Sequence, residues 1–241
     1  MSNPVAPKNA IVASAKTACF SLVACVLLLT FVVHAWGGNK TKDEDTLINA
    51  SGVLHGILSD KNISRDVIEK AECIVVLPEV KRVGLVVGGS GGRGPMLCRT
   101  GDTFSGGWSA PAMYTVGGMS AGLQIGASSS DMVLLIMTKK GVSAVLNGKT
   151  RVGADATAAV GPGATAQRLS GNDILSYAKS EGLFVGVSLN RASLEPDDDA
   201  NRRLYGKPIT PTEIVRHNRV RPPAIGGEAL ISLLDANAPS Q

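Results

Sequence analysis

Few residues of this chain could take part in catalysis, and their spacing matches no zinc-hydrolase or dithiol redox motif. Outside the N-terminal segment the histidines are His55 and His217. Catalysis requires a nucleophile with a base, a carboxylate pair or a metal site. Because the sequence contains no HExxH or CxxC motif, we predict that the protein is not an enzyme and has no catalytic residue, metal ion or cofactor.

A glycine cluster formally matches a nucleotide-binding motif. Residues 89–94 read GSGGRG, the GxGxxG pattern that binds a dinucleotide phosphate at a helix N-terminus. Pro95 and the strand-like residues 96–98 follow where that motif requires a helix. We therefore predict a flexible hairpin tip, from which Arg93 could contact a lipid phosphate.

An acidic cluster, Glu195 with Asp197, Asp198 and Asp199, has the composition of a calcium site but lacks the spaced oxygen ligands of an EF-hand loop. The same residues suit the start of a helix over residues 197–204, since Asp197 can cap it and acids favour its first turn. Pairs four residues apart, 198 with 202 and 199 with 203, would then join acids to arginines. We predict a helix rather than a metal site.

Cys73 and Cys98 are the cysteines that lie outside the N-terminal segment. An oxidising compartment would permit a disulfide between them. Two small buried hydrophobic residues on neighbouring strands would be an equally good interpretation.

The N-terminal segment contains an uncharged run of 23 residues from Thr17 to Asn39, preceded by Lys8 and Lys16. At about 1.5 Å per residue, such a helix could cross a hydrocarbon core of about 30 Å. Residues 1–36 could be a cleaved signal peptide, a retained anchor, or a lipoprotein signal modified at Cys25. Each alternative exports residues 37–241, so we expect a periplasmic or envelope location, with inner-membrane anchoring through residues 17–39 if the segment is retained.

The charge balance does not favour nucleic acid as a partner. The chain has 24 basic and 20 acidic residues, and removal of Lys8 and Lys16 with the N-terminal segment leaves 22 against 20. Aromatic residues make up 4%. A nucleic-acid-binding domain would more often combine a basic stripe with interleaved aromatic residues.

The hydrophobic pattern predicts helices followed by strands. Helical spacing extends over residues 43–59 and 65–72, and Ser64 is placed to cap the second helix. Strand patterns then dominate, with a run at residues 132–137 typical of a strand buried on both faces, and further helices at 139–146 and 228–235. We predict an α+β fold in which N-terminal helices flank a glycine-rich antiparallel sheet. The sheet could also be curled toward a barrel. The domains would be a linker at 37–42, one domain at 43–215 and a flexible tail at 216–241.

Five segments of the strand region follow one another in a characteristic order. They are LPEVKRVGLVVGGSGGRG, FSGGWSAPAMYTVGG, SAGLQIGASSSDMVLLIM, VGADATAAVGPG and SEGLFVGVSLNRASLEPDDDANRRLYG. Between about residues 48 and 213 the chain resembles the SYLF domain, also named for yeast actin-patch proteins. Eukaryotic members bind phosphoinositides and, in yeast, actin, whereas bacterial members are exported envelope proteins.

The resemblance implies a noncatalytic protein that binds anionic phospholipid at a membrane surface. Apolar residues of the first helix would enter the interface and basic residues would meet the headgroups; the candidates are Leu47, Leu54, Ile57, Leu58, Lys61, Arg65, Lys70, Lys81, Arg82 and Arg93. Alternatively, the apolar stripe of that helix packs on the sheet. A structural or protein-interaction module of the envelope is the competing function, and actin is not expected as a partner if the chain is bacterial.

Overall fold

The computed structural model describes residues 39–60, 63–84, 87–121, 126–148, 150–152, 157–158, 173–180, 183–186 and 192–239. Contacts divide the chain into two units, Met1–Lys42 and Asp43–Gln241. In the smaller unit, residues 39–42 are helical rather than the linker that we predicted. The elements described below belong to the larger unit.

The larger unit is α+β, as the sequence predicted. Helix α1 covers residues 43–59. The other helices are α2 Arg65–Glu69, α3 Lys139–Leu146, α4 Asp198–Tyr205, α5 Pro211–Val215 and α6 Gly227–Asn237. The strands are β1 Cys73–Gly84, β2 Val87–Cys98, β3 Ala112–Ala121, β4 Gly126–Ile136, β5 Thr150–Val152, β6 Thr157–Ala158, β7 Ile174–Ser180, β8 Leu183–Gly186 and β9 Ala192–Pro196.

The nine described strands form one sheet in the order β5-β9-β3-β2-β1-β4-β7-β6, and β8 also pairs with β7. Pairing is antiparallel except between β6 and β7. Since β5 and β6 end this order, the described sheet is open, and the barrel-like curl that we considered is not formed.

Helices cover both faces of the sheet near one end of its central strands. Leu47, Leu54, Leu204 and Leu230 of α1, α4 and α6 pack with alternate strand residues such as Val133 in one core. On the other face, α3 and α5 pack on the remaining strand residues in a second core. The predicted two-sided burial is confirmed for β4, where every residue from 132 to 136 is fully buried.

A bulge divides β1 into two parts. The register of β1 shifts between Val75 and Lys81 in its pairing with β2, and between Leu77 and Val80 in its pairing with β4. Glu79 adopts a left-handed φ of 53°, and its backbone N–H donates to Asp131 Oδ1 at 3.2 Å. Because an extra residue reverses the alternation of side chains, Val80 packs in the second core and Lys81 projects on the face of α1.

Cys73 and Cys98 lie directly opposite each other on β1 and β2. They form a disulfide with Cα atoms 4.0 Å apart. Both residues are fully buried. The first of the two interpretations of these cysteines is therefore the one that the structure adopts.

The segment after α5 belongs to the packed domain and is not the flexible tail that we predicted. Leu230, Leu234 and Ala238 are fully buried in the first core. The predicted helix at residues 228–235 is confirmed as α6, but the proline and glycine run before it had indicated a linker.

Buried Arg99 holds the ends of α2 and α6 together. Its guanidinium donates to the carbonyls of Glu69, Ala71, Ala238 and Pro239 at 2.8–3.3 Å. It also stacks at 4.6 Å from the centre of the Trp108 ring, and the indole N–H donates to the Ala238 carbonyl. Burial lowers the pKa of Arg99 from its ordinary value, while four carbonyls at helix C-terminal ends stabilise its charge.

Candidate functional site

We call the region beyond the β1 bulge the distal half of the sheet: residues 79–84 of β1, 87–93 of β2, 115–121 of β3 and 126–131 of β4. The proximal half comprises residues 73–77, 94–98, 112–114 and 132–136 of the same strands. In the proximal half of β1 all five side chains are fully buried, whereas Lys81, Arg82 and Val83 in the distal half are exposed. Candidate binding groups are therefore concentrated in the distal half.

A cavity of about 440 Å³ lies between α1 and the distal half. Thr46 and Asn49 of α1 form one wall, and Glu79 and Lys81 of β1 form another. Arg93 of β2 also lines it, together with Pro78, Gly91, Gly92 and Thr115. Its volume lies within the range of about 300–1,000 Å³ that is usual for ligand sites.

The glycines of residues 89–94 are part of strand β2 and do not form the hairpin tip that we predicted. The strand pairs with β1 on one side and β3 on the other. A Cβ atom on Gly92 would lie 2.9 Å from Val80 Cγ2, and one on Gly94 would lie 1.8 Å from the Val76 carbonyl oxygen. These glycines therefore permit the bulged part of β1 to approach β2 closely.

Ser90 of the same cluster is not placed as a nucleophile. Residues 88–92 formally match GxSxG, a motif that acts at a sharp strand-to-helix turn. Ser90 instead lies within β2, and its hydroxyl is 3.5 Å from the Gly118 carbonyl.

A buried charge cluster holds Asp43 of α1 beside the cavity. Asp43 is fully buried and accepts hydrogen bonds from Arg93 and from Arg203, whose Nε is 2.7 Å from Asp43 Oδ2. Asp197 lies 3.4 Å from Arg93. The hydrogen bonds from Arg203 to Asp43 raise the pKa of Arg203. The cluster joins α1, β2 and α4 with two positive and two negative charges.

The acidic cluster at residues 197–199 begins α4, as the sequence predicted. The Asp197 carboxylate accepts from the Ala200 N–H. The predicted pairs four residues apart are not formed, because Arg202 pairs with Asp199 and Arg203 turns to Asp43. A shared buried carboxylate is a better partner for Arg203 than an exposed acid on its own helix.

The predicted lipid-binding residues fall into separate places. Leu47, Leu54 and Ile57 are 0–1% exposed in the first core, so in this conformation they cannot enter a bilayer; the apolar stripe packs on the sheet, as the alternative had it. Leu58 is partly buried against the same core. The sequence correctly predicted an apolar face on α1, but this face contacts the sheet rather than a bilayer.

Among the predicted basic residues, Lys81 and Arg93 share the cavity, and Arg82 projects from the other face of β1. Arg65 and Lys70 are exposed at α2, where Arg65 pairs with Glu69. Lys61 lies outside the described residues. Ser64 occupies the position before α2, but its side chain makes no capping hydrogen bond.

Sequence reasoning overlooked Asp43, Glu79 and Arg203. Asp43 precedes Leu47 and Ala50 at the helical spacing of the buried stripe, which was a signal that its carboxylate is buried too. Glu79 follows Pro78 inside a strand pattern, a combination that indicates a bulge. The pairing of Arg203 with Asp43 across 160 residues had no local signal.

The residues that the structure describes contain no group of three or more His, Cys, Asp or Glu that could hold a metal ion. His55 and His217 are exposed on α1 and after α5. Within the same described part of the chain, no helix has the length and apolar character needed to cross a bilayer. Most of Thr17–Asn39 lies outside it.

Comparison with known proteins identifies relatives. SH3 domain-containing YSC84-like protein 1 of Homo sapiens is 34% identical over 185 residues, which are 73% of this chain and 52% of that protein. LAS seventeen-binding protein 3 of Saccharomyces cerevisiae is 29% identical over 173 residues, 68% of this chain and 37% of that protein. The chain thus spans about half the length, or less, of these relatives.

No solved structure matches the chain significantly. The model of the Ysc84 family, described as "Las17-binding protein actin regulator", matches residues 117–237, from the middle of β3 to the end of α6. This match confirms the resemblance to the SYLF domain. The description of the family and the name of the yeast relative refer to binding rather than to an enzymatic activity. The chain belongs to the Ysc84 family.

Proposed function

We propose that this protein is a noncatalytic membrane-surface protein that binds anionic phospholipid through the distal half of its sheet. The observation that carries the proposal is the run Lys81-Arg82-Val83. Two exposed cations on opposite faces of β1 precede a valine that is 63% exposed. Cations beside an exposed apolar side chain are the combination that a membrane interface favours.

The expected affinity of this surface is modest. A basic residue close to an anionic bilayer contributes about 1 kcal/mol, and this contribution decreases as salt screens the charge. Stable attachment therefore needs a second element. We propose that residues 17–39 supply it, by export and retention at the membrane, since a tether raises the effective concentration of the surface.

Co-sedimentation of residues 37–241 with anionic vesicles at low salt tests the proposal. The wild-type domain should sediment with the vesicles, and the variant Lys81→Glu/Arg82→Glu should remain largely in solution. Lys207→Glu is the matched control, because Lys207 is exposed after α4, whose Tyr205 hydroxyl bonds to Pro111 just before the proximal end of β3. A folded wild-type domain that ignores anionic vesicles would contradict the proposal.

A protein-interaction module is the second candidate function. Ile48 of α1 and Ile225 before α6 are 50% and 49% exposed. They lie together, because a Cβ on Gly226 would be 2.9 Å from the Ile48 backbone nitrogen. The yeast relative is named for binding another protein. If Ile48→Ser/Ile225→Ser failed to complement a deletion of the gene while Lys81→Glu/Arg82→Glu complemented it, this second candidate would replace the first.

A further inference from the structure

Among the described residues that line the cavity beside α1, one acidic and one basic side chain have no partner. Among the residues that the structure describes, neither the Glu79 carboxylate nor the Lys81 ammonium takes part in an ion pair or side-chain hydrogen bond. Both line the cavity and both are exposed. They are two residues apart on β1: Glu79 lies within the register shift and Lys81 lies just beyond it.

Arg93, the remaining charged residue of the cavity, is already compensated. Its guanidinium contacts Asp43 and lies 3.4 Å from Asp197. Arg203 balances the second negative charge of that cluster through its own bond to Asp43. The uncompensated charge on the described lining residues is therefore one positive and one negative group, which does not favour a ligand of high negative charge.

The backbone holds Glu79 in an unusual conformation. Its φ of 53° lies in the left-handed region, which non-glycine residues adopt rarely and often at ligand sites. The bond from its N–H to Asp131 fixes this conformation. On the facing strand, Gly91 leaves open space where another residue would place a side chain, since a Cβ there would meet only the Val116 carbonyl oxygen, 3.9 Å away.

We propose that the cavity binds the headgroup of a zwitterionic phospholipid of the phosphoethanolamine type. The phosphodiester lies at Lys81, with Arg93 beside it, and the primary ammonium donates to Glu79. This inference rests on the proposed function, because it names the headgroup that the same membrane-facing region selects, while Arg82 on the other face remains for the anionic surface.

The alternatives of similar size fit the charges less well. A glycerol headgroup has no cation for Glu79, so its phosphodiester would share the cavity with an uncompensated carboxylate. A choline headgroup has a cation without N–H donors, which proteins usually bind with aromatic rings. No aromatic side chain is among the described residues that line the cavity.

Soluble headgroups test the cavity without a bilayer. Full-length protein in a non-ionic detergent is titrated with glycerophosphoethanolamine, glycerophosphoglycerol and glycerophosphocholine, and the backbone amide NMR signals of Gly91, Gly92 and Thr115 are followed. We expect saturable shifts with glycerophosphoethanolamine at concentrations at least fivefold lower than with the other two compounds. Equal shifts for all three, or none, would overturn the inference.

Two variants assign the roles. Glu79→Gln should weaken glycerophosphoethanolamine binding about tenfold without weakening glycerophosphoglycerol binding, because it removes a carboxylate that repels the phosphodiester, whereas Lys81→Gln should weaken both. Glu228→Gln, at an exposed position in the first turn of α6, is the control and should change neither. If Glu79→Gln weakened both headgroups equally, the ammonium would not lie at Glu79 and the inference would be wrong.

Vesicles separate failure of this inference from failure of the proposed function. Glu79→Gln should still sediment with anionic vesicles, but adding phosphatidylethanolamine should no longer increase its binding. Vesicle binding without any headgroup preference contradicts the cavity assignment alone. Headgroup shifts without vesicle binding would instead refute the membrane-surface function and leave a soluble phosphoethanolamine ester as the ligand.

Discussion

The proximal and distal halves of the sheet are built from the same strands but have opposite surroundings. Proximal β1, from Cys73 to Leu77, is covered on both faces and joined to β2 by a disulfide. Distal β1 keeps its pairing with β2 and β4, yet Lys81, Arg82 and Val83 are exposed. Backbone pairing thus continues where side-chain packing stops.

This difference indicates a division of labour along each strand. Burial in the proximal half supplies the stability that the distal half lacks. Glycines and small polar residues of the distal half continue the strand pairing of the proximal half. The bulge at Glu79 is the boundary, since it turns Lys81 toward α1 and the cavity.

The largest difference in the free energy of unfolding should appear when one apolar side chain in each half is truncated to alanine. Leu134→Ala, at a fully buried position of β4, should lower the free energy of unfolding by about 3 kcal/mol because it leaves a cavity in the second core. Val83→Ala should change it by less than about 0.5 kcal/mol. Urea denaturation followed by circular dichroism measures both, and similar losses would show that the distal half is packed after all.

The same substitution at two glycines of β2 should locate the boundary. Gly94→Ala forces a Cβ against the Val76 carbonyl, so we expect a loss of about 2 kcal/mol. Gly91→Ala meets ordinary contacts and should be nearly neutral for stability, although it should reduce headgroup binding. Thermal unfolding compares the two, and a neutral Gly94→Ala would mean that β1 can move away from β2.

Asp43→Asn tests whether the charge cluster holds α1 at the edge of the two halves. Removing the buried negative charge leaves Arg93 and Arg203 without their shared partner. A fully buried pair would lose about 3–5 kcal/mol, but these arginines are 34% and 21% exposed, so we expect about 1–2 kcal/mol. Hydrogen exchange should become faster in the first turns of α1 and remain unchanged in β4; uniform acceleration would contradict a local role.

The smallest effect concerns the cap at the proximal end. The Thr138 hydroxyl caps α3 and bonds to Asp173 at 2.6 Å. This hydrogen bond, with the charge of Lys140, lowers the pKa of Asp173. Ionised Asp173 therefore stabilises the fold above its unfolded pKa, and this contribution is lost as the pH falls through the lower folded pKa.

Thr138→Ala should consequently cost about 1 kcal/mol at neutral pH. It should also raise the pKa of Asp173 toward its ordinary value. The stability that ionised Asp173 contributes, and that is lost on acidification, should then be smaller than in the wild type. NMR titration of the Asp173 carboxyl measures the pKa directly. An unchanged pKa would show that Lys140, rather than Thr138, controls this carboxyl.

Much of the proximal half could be predicted from sequence. Residues 139–146 were predicted as a helix and form α3 with the same bounds, because their periodicity and local capping agree. The burial of β4 followed from its continuous apolar run. Where the local hydrophobic pattern agrees with the burial of the element in the fold, a single sequence is enough to predict that element.

The distal half and the C-terminal segment could not be predicted in the same way. The glycine-rich residues 89–94 suggest a turn when they are considered alone. Their place within β2 depends on the close approach of β1, which is a tertiary contact. The apolar spacing of α1 is the same for a helix that contacts lipid and for one that packs on the sheet, so the sequence does not distinguish the two. Arg203 selects a partner 160 residues away, and the prolines before α6 concealed the packing of that helix.

The Arg99 clamp has a consequence for the timing of folding. Its partners include the carbonyls of Ala238 and Pro239, which are about 140 residues later in the chain. During synthesis from the N-terminus, Arg99 therefore emerges long before two of the four carbonyls that satisfy its buried charge exist. Because Leu230 and Leu234 of α6 belong to the first core, a nascent chain cannot complete that core until α6 has been made.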